Sequence, residues 1–281
     1  MSGSITGSIN GSINGATRLY AILGDPVAPL RSPALFNAAF ARLGRDAAFL
    51  PLQVPEGALP EVWAGLRRIG NLDGLVITMP HKAAAVPLLD ALGPTATLTG
   101  TVNTARRRPD GGWEGEMFDG EGFRDGLERA GHAPHGARVL LVGCGAAGRA
   151  IGLALARAGV AHLALRDAVP GRAEALAARL AEAFPALPVS TGAAGPEGRD
   201  IVVNATPLGL RPGDALPLDP AALRPGQVVA DVIPNPEVTP LIAAARRLGC
   251  PTVTGRAMHE GQARLAAAYL GIEGWEEGVP G

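Results

Sequence analysis

Gly143, Gly145 and Gly148 are spaced G-x-G-x-x-G, and Asp167 follows further along the chain. In a strand–turn–helix setting this spacing binds a pyrophosphate. The first glycine permits a tight turn, the second lets the backbone approach the phosphates, and the third lets helix and strand pack closely. Ala146 and Ala147 complete the turn that would face the ligand, and the helix start presents N–H groups and a partial positive charge. Asp167 is placed to accept hydrogen bonds from the adenosine ribose hydroxyls. The bland alternative is a glycine-rich turn with no ligand. A second candidate for chemistry is Lys82. The chain holds 25 Lys plus Arg, but Lys82 is its single lysine. A lysine can lose its proton near neutral pH in suitable surroundings, whereas an arginine cannot. The alternative for Lys82 is chance survival on the surface.

The elements that must position these residues can be read from pattern. Residues 139–142 form an apolar run that predicts a buried strand. Residues 149–157 continue as an Ala/Leu/Ile-rich helix ended by Gly159, and 162–165 form a second strand closed by Asp167. Before this unit, strands are expected at 19–23, 48–52 and 74–78. Helices are expected from Ser32-Pro33 (with Ser32 as N-cap) through Leu43, over 59–69, and over 83–92. This alternation predicts a small parallel sheet. Two short strands, 102–105 and 113–115, flank a Pro109-Asp110-Gly111 turn, and 122–130 form a linking helix. After Asp167, helices are expected over 172–184, from Thr239-Pro240 to Leu248 and over about 258–270. Strands are expected at 189–190, 200–204, 228–232 and 251–253. The final helix has no strand left to cover in its own domain, which sends it back to the first.

Composition excludes several classes. A length of 281 residues predicts one large or two modest domains, and 47% hydrophobic with 18% charged residues describes an ordinary globular chain. The formal net charge of −1 leaves no footprint for nucleic acid or an acidic membrane, and Arg106-Arg107-Arg108 is the one basic run. Cys144 and Cys250 form neither a disulfide framework nor a metal-ligand spacing, so no metal and a reducing cytoplasm are expected. No long uncharged apolar run predicts a membrane span. Residues 1–15 repeat a Gly/Ser/Ile/Asn unit and read as a flexible tail without a secretory pattern.

At Thr78-Met79-Pro80-His81-Lys82 the sequence resembles the shikimate/quinate dehydrogenase family. The other landmarks are G-D-P-V from Gly24, Ser32-Pro33, V-N-T from Val102, Asp119-Gly120, the glycine turn, N-A-T-P-L-G from Asn204, and Gly255, Met258 and Gln262-Ala263. The resemblance implies an α/β chain with an N-terminal substrate domain, a Rossmann domain, and a last helix that packs back on the first. The corresponding boundaries are a tail over 1–15, a substrate-binding and catalytic domain over 16–120 and about 256–281, and an NAD(P)-binding domain over 121–255. It implies Lys82 and Asp119 as the catalytic pair of a hydride-transfer reaction, in which the lysine handles the hydroxyl proton and the carboxylate holds it. Ser32, Thr78, Asn103 and Gln262 are the implied substrate ligands. Asn204, Thr206, Pro207, Val232, Gly255 and Met258 join the glycine turn in facing the cofactor.

The pocket departs from the family pattern. Leu30 stands for the first serine of Ser-x-Ser and Val76 for an asparagine. Met117-Phe118 replace Asn-Thr before Asp119, and Pro234 falls where a tyrosine is usual. A site without partners for substrate hydroxyls disfavours a polyhydroxylated acid. The expected substrate is therefore less hydroxylated, or larger and more apolar, than shikimate. Arg31 is either a replacement carboxylate ligand or a solvated helix-start residue. Asp167-Ala168-Val169 replaces the Asn-Arg-Thr of NADP-using members, which favours NAD, although Arg166 is near enough in sequence to serve a phosphate. The leading expectation is an NAD-dependent oxidoreductase of a cyclic hydroxy acid, acting as a monomer or homodimer. The alternatives are a conventional NADP-linked shikimate dehydrogenase of aromatic amino-acid biosynthesis, and a non-catalytic dinucleotide sensor.

Overall fold

A computed structural model describes residues 13–275. The chain divides into two compact units, one running through Met117 and resuming at Ala263, the other Phe118–Gln262. The first unit begins with β1 (Arg18–Gly24), α1 (Ser32–Leu43), β2 (Ala47–Gln53), α2 (Leu59–Leu66) and β3 (Leu72–Ile77). It continues with β4 (Ala91–Leu92), α3 (Pro94–Thr99), β5 (Thr104–Arg107) and β6 (Trp113–Glu116). One six-stranded sheet takes the order β2-β1-β3-β5-β6-β4. β1 pairs parallel with β2 and β3, but β5 runs antiparallel to β3 and β6, so the expected parallel sheet is mixed.

Three local expectations need correction. Ser32 is not the cap of α1: Arg31 holds that place without a side-chain bond, and Ser32 is the first helical residue. No α-helix covers 83–92. Pro87 brings no N–H, and the segment makes a single 3₁₀ turn at Val86–Leu88 before β4. The helix instead lies just beyond, at α3, where Gly93 precedes Pro94 at a helix start. Within the expected tail, residues 1–12 lie outside the described residues. Asn14 nevertheless sits in a turn, with its N–H donating to Thr17 Oγ1 at 3.0 Å and its Oδ1 accepting from Ala16 N at 2.8 Å.

The second unit holds α4 (Asp119–Arg129), β7 (Arg138–Val142), α5 (Ala146–Arg157), β8 (His162–Arg166), α6 (Arg172–Ala183), β9 (Val189–Thr191) and β10 (Ile201–Asn204). Then follow β11 (Val228–Asp231), α7 (Pro240–Arg247) and β12 (Thr252–Val253). Its six strands are all parallel, in the order β12-β11-β10-β7-β8-β9. Alternate strand residues feed two apolar layers. Val139, Leu141, Leu163, Leu165 and Val203 meet Leu127, Ile151, Leu155 and Leu176 on one face. Leu140, Val142, Ala164, Val202 and Val229 meet Leu241, Ile242 and Ala245 on the other. Strand order reverses between β7 and β10, and a doubly wound sheet binds ligands outside the carboxyl ends of the strands at such a switch point.

The last helix, α8 (Gly255–Tyr269), crosses the division between the units at Ala263. Its later residues pack on the first unit. Arg106 lies over the Tyr269 ring at 4.2 Å, and Gly74 leaves the space that Leu270 fills. The three-arginine run is absorbed structurally in this unit. Arg106 pairs with Glu114, Arg108 pairs with Asp110, and Arg107 donates to the carbonyls of Leu72 and Ile69.

Candidate active site

In the first unit, β1 and β3 end side by side and the main chain ties their following loops together. Thr78 N donates to Leu23 O at 2.9 Å, Asp25 N to Met79 O at 3.0 Å, and Ile77 N to Asn103 O at 2.7 Å. Val102 N donates to Lys82 O at 2.8 Å. These bonds bring Thr78, Lys82 and Asn103 to one end of the sheet. Lys82 is half-buried, Asn103 is buried, Ser32 is buried at the start of α1, and Arg31 is exposed. Leu30 joins the group. Its Cδ1 lies 3.8 Å from the point a Cβ on Gly24 would take, and Thr78 Cγ2 lies 2.5 Å from the same point. Val76, within β3, is buried. His81 is buried with Nε2 2.7 Å from Val54 O, a packing role rather than a chemical one.

The second unit carries Asp119, Gln262 and the glycine turn. Asp119 is the first residue of α4 and fully buried. The next residue, Gly120, lies where a Cβ would meet Ala150 O at 2.0 Å, so α4 presses directly on α5. Met117, just ahead in the first unit, is also fully buried. Gln262 is half-buried, and its backbone lies against Gly122.

The glycine turn divides its roles as the spacing predicts. Gly143 has φ of 100°, and a Cβ there would stand 2.7 Å from Ala205 C. A Cβ on Gly148 would stand 1.9 Å from Gly143 O, so α5 starts hard against the turn. Around Gly145 nothing lies within 4 Å of that point, and no side chain caps α5 there. The open backbone and free helix start fit a dinucleotide pyrophosphate. Asp167 closes β8 with its carboxylate accepting from Cys144 N at 2.6 Å and Val169 N at 2.8 Å. Cys144 is buried filler, its thiol pushed up to about 12, chiefly by burial and then by Asp167.

Arg166 is turned to structure: its guanidinium donates to the carbonyls of Ala194 and Pro217. A basic group that sequence reasoning missed lies nearby. Burial, then Arg179 and Arg172 on α6, push the Arg149 guanidinium down, and Arg149 Nε is buried without a hydrogen-bond partner. Helical spacing within α5 and α6 hides such a cross-helix group from the sequence. On the other side of the switch point, Asn204 ends β10, Thr206 and Pro207 lie in the turn beyond it, and Val232 follows β11. Gly255 packs against Ile233, and Met258 is buried in the core. Pro234 is half-buried. Among the described residues no group of three His, Cys, Asp or Glu could hold a metal ion, and no helix is long and apolar enough to cross a membrane.

Residues 22–105 match the family model described as the shikimate dehydrogenase substrate binding domain. Shikimate dehydrogenase (NADP(+)) of Moorella thermoacetica is 42% identical over 85% of this chain and 83% of its own. The structure of shikimate 5-dehydrogenase from Listeria monocytogenes with shikimate and NAD gives a TM-score of 0.84 at 30% identity, covering 94% of this chain and 95% of that one. The 5-ketofructose reductase of a Gluconobacter strain gives a TM-score of 0.81 at 32% identity, covering 90% and 92%.

Proposed function

The chain belongs to the shikimate/quinate dehydrogenase family and is an NAD(P)-dependent oxidoreductase of that type, and we propose that it interconverts a cyclic hydroxy acid and its ketone with Lys82 and Asp119 as the catalytic pair. The observation that carries this reading is the clustering of Thr78, Lys82 and Asn103 at one end of the first sheet. When bound, the dinucleotide supplies the acceptor for the hydride. Lys82 Nζ takes the proton of the reacting hydroxyl, or returns it to the ketone oxygen in the reverse direction. The Asp119 carboxylate orients the lysine. Ser32, Thr78, Asn103 and Gln262 bind the substrate, and Arg31, exposed at the head of α1, meets its carboxylate.

The substrate is less hydroxylated, or larger and more apolar, than shikimate. Leu30 beside Thr78, Val76, Met117 and Phe118 supply no hydrogen-bonding side chain where the family pattern has one, and unpaired hydroxyls are costly to bury. The Gluconobacter neighbour, by name, reduces 5-ketofructose, so a close fold with another substrate exists. NAD is the preferred dinucleotide because the Asp167 carboxylate repels a 2′-phosphate and accepts from a free ribose hydroxyl, while Arg166 is committed to carbonyls. A second reading, NADP, is favoured by the Arg149, Arg172 and Arg179 group, whose mutual repulsion an anion would relieve. The free cysteines Cys144 and Cys250 support a reducing cytoplasm.

Lys82→Met tests the enzymatic reading, since methionine keeps much of the length and loses the proton-carrying nitrogen. The expected loss in kcat is about 10²–10⁴-fold with dinucleotide affinity unchanged. Full turnover in Lys82→Met would remove Lys82 from the mechanism.

A further inference from the structure

The carboxyl ends of β10 and β11 share a buried polar network. Asn204, Asp231 and Thr239 are all essentially without solvent exposure. Asn204 Oδ1 accepts from Thr206 N at 3.0 Å and Thr206 Oγ1 at 2.6 Å. Its Nδ2 donates to Leu208 O at 3.2 Å and Asp231 Oδ2 at 3.1 Å. The same Asp231 oxygen accepts from Thr239 Oγ1 at 2.8 Å, and Asp231 Oδ1 accepts from Ile233 N at 3.0 Å. Thr239 Oγ1 in turn accepts from Ile242 N as the cap of α7.

Every group that faces Asp231 in this network is a donor, so the position requires an acceptor on both oxygens. An asparagine would turn an amide NH₂ against either the Asn204 NH₂ or the Ile233 N–H. Burial pushes the Asp231 carboxyl up, and the hydrogen bonds to Ile233, Asn204 and Thr239 oppose that shift. The network ends at the cofactor turn. Ala205 lies against Gly143, and Gly255 at the start of α8 leaves room for the Val232 and Ile233 backbone. We propose that Asp231 is a positioning residue for dinucleotide binding, its side chain tying the 204–209 turn to the 231–239 segment and thereby fixing Ala205 and Thr206 against the Gly143 turn. This rests on the reading that a nicotinamide dinucleotide binds at this switch point.

The test uses the full chain and isothermal titration with NAD and with NADP. Asp231→Asn should raise the Kd of the preferred dinucleotide about tenfold, one lost buried hydrogen bond to a charged group. Amide exchange at Thr206, Leu208 and Ile233 in the free protein should accelerate. Thr239→Val should weaken binding in the same direction, and Thr239→Ser, which keeps the hydroxyl, should restore it. A purely structural role would lower the unfolding midpoint and leave Kd unchanged in the folded variant. That result in Asp231→Asn would overturn the proposal, and if that variant does not fold, an unchanged Kd in Thr239→Val would do so. Wild-type protein that binds neither dinucleotide would overturn the functional reading, and this proposal with it.

Discussion

The loops at the carboxyl ends of the two sheets are held by different means. Beyond β1 and β3, the loop bearing Thr78 and Lys82 is tied by main-chain bonds to Leu23, Asn103 and Val102, with the His81 side chain on Val54 O. Beyond β10 and β11, the turns are tied by side chains, Asn204, Asp231 and Thr239, and Asp167 does the same beyond β8. A loop held by its backbone leaves side chains such as Leu30 and Met79 free to be set by the ligand. A loop held by side chains cannot change those residue types without moving. By the resemblance, departures from the family pattern fall in both units, at Leu30 and Val76 in the first and at Asp167–Val169 and Pro234 in the second, while the glycine turn and Asn204–Gly209 keep that pattern.

The sharpest way to break the comparison is one substitution at two neighbouring glycines. Gly148→Ala forces a methyl into the Gly143 carbonyl and should cost about 1–3 kcal/mol of stability together with dinucleotide binding. Gly145→Ala meets nothing within 4 Å. It should keep stability within about 1 kcal/mol yet weaken the dinucleotide by tenfold or so, where the backbone meets pyrophosphate. Denaturant unfolding and titration calorimetry separate the two effects, and equal losses of stability would contradict the assigned roles. Leu30→Ser sharpens the other side. It should raise kcat/KM for shikimate about tenfold, the size of one hydrogen bond to a charged group, with the unfolding midpoint nearly unchanged. No gain would mean that Leu30 does not set specificity.

A smaller effect concerns pH. His162 accepts from Arg199 at 2.7 Å and lies 3.3 Å from Ser190 Oγ, and burial, then Arg199 and Arg138, hold its imidazole below the usual range. Its folded form therefore binds a proton less readily than its unfolded form. The stability it contributes is complete above the ordinary histidine value of about 6.5 and is lost as pH falls below it through the lower folded value. His162→Gln, which still offers Arg199 an acceptor, should flatten the unfolding midpoint between about pH 7.5 and 5.5. An unchanged slope would remove His162 from the pH dependence.

The glycine turn and its flanking strands were legible because steric demands fix residue type: Gly148 has no room for a Cβ, and Gly143 adopts a positive φ. Lys82 stands out in the sequence by its rarity and by the T-M-P-H-K pattern, and its catalytic role is a proposal. The 83–92 segment was misread because apolar periodicity outweighed Pro87. The mixed sheet was misread because β5 and β6 signal a hairpin without showing which sheet edge it joins. Asp231 and the Arg149 group could not be read at all. Their meaning depends on partners far away in sequence, Asn204 and Thr239 for one, Arg172 and Arg179 for the other.

We propose a dehydrogenase whose glycine turn keeps the family pattern and whose substrate positions depart from it. Its most direct test is the initial rate of NAD and NADP reduction against shikimate, quinate and a panel of less hydroxylated cyclic hydroxy acids. The account predicts NAD-linked turnover with kcat/KM higher for a panel member than for shikimate or quinate. Rapid turnover of shikimate with NADP, and none better elsewhere, would contradict it.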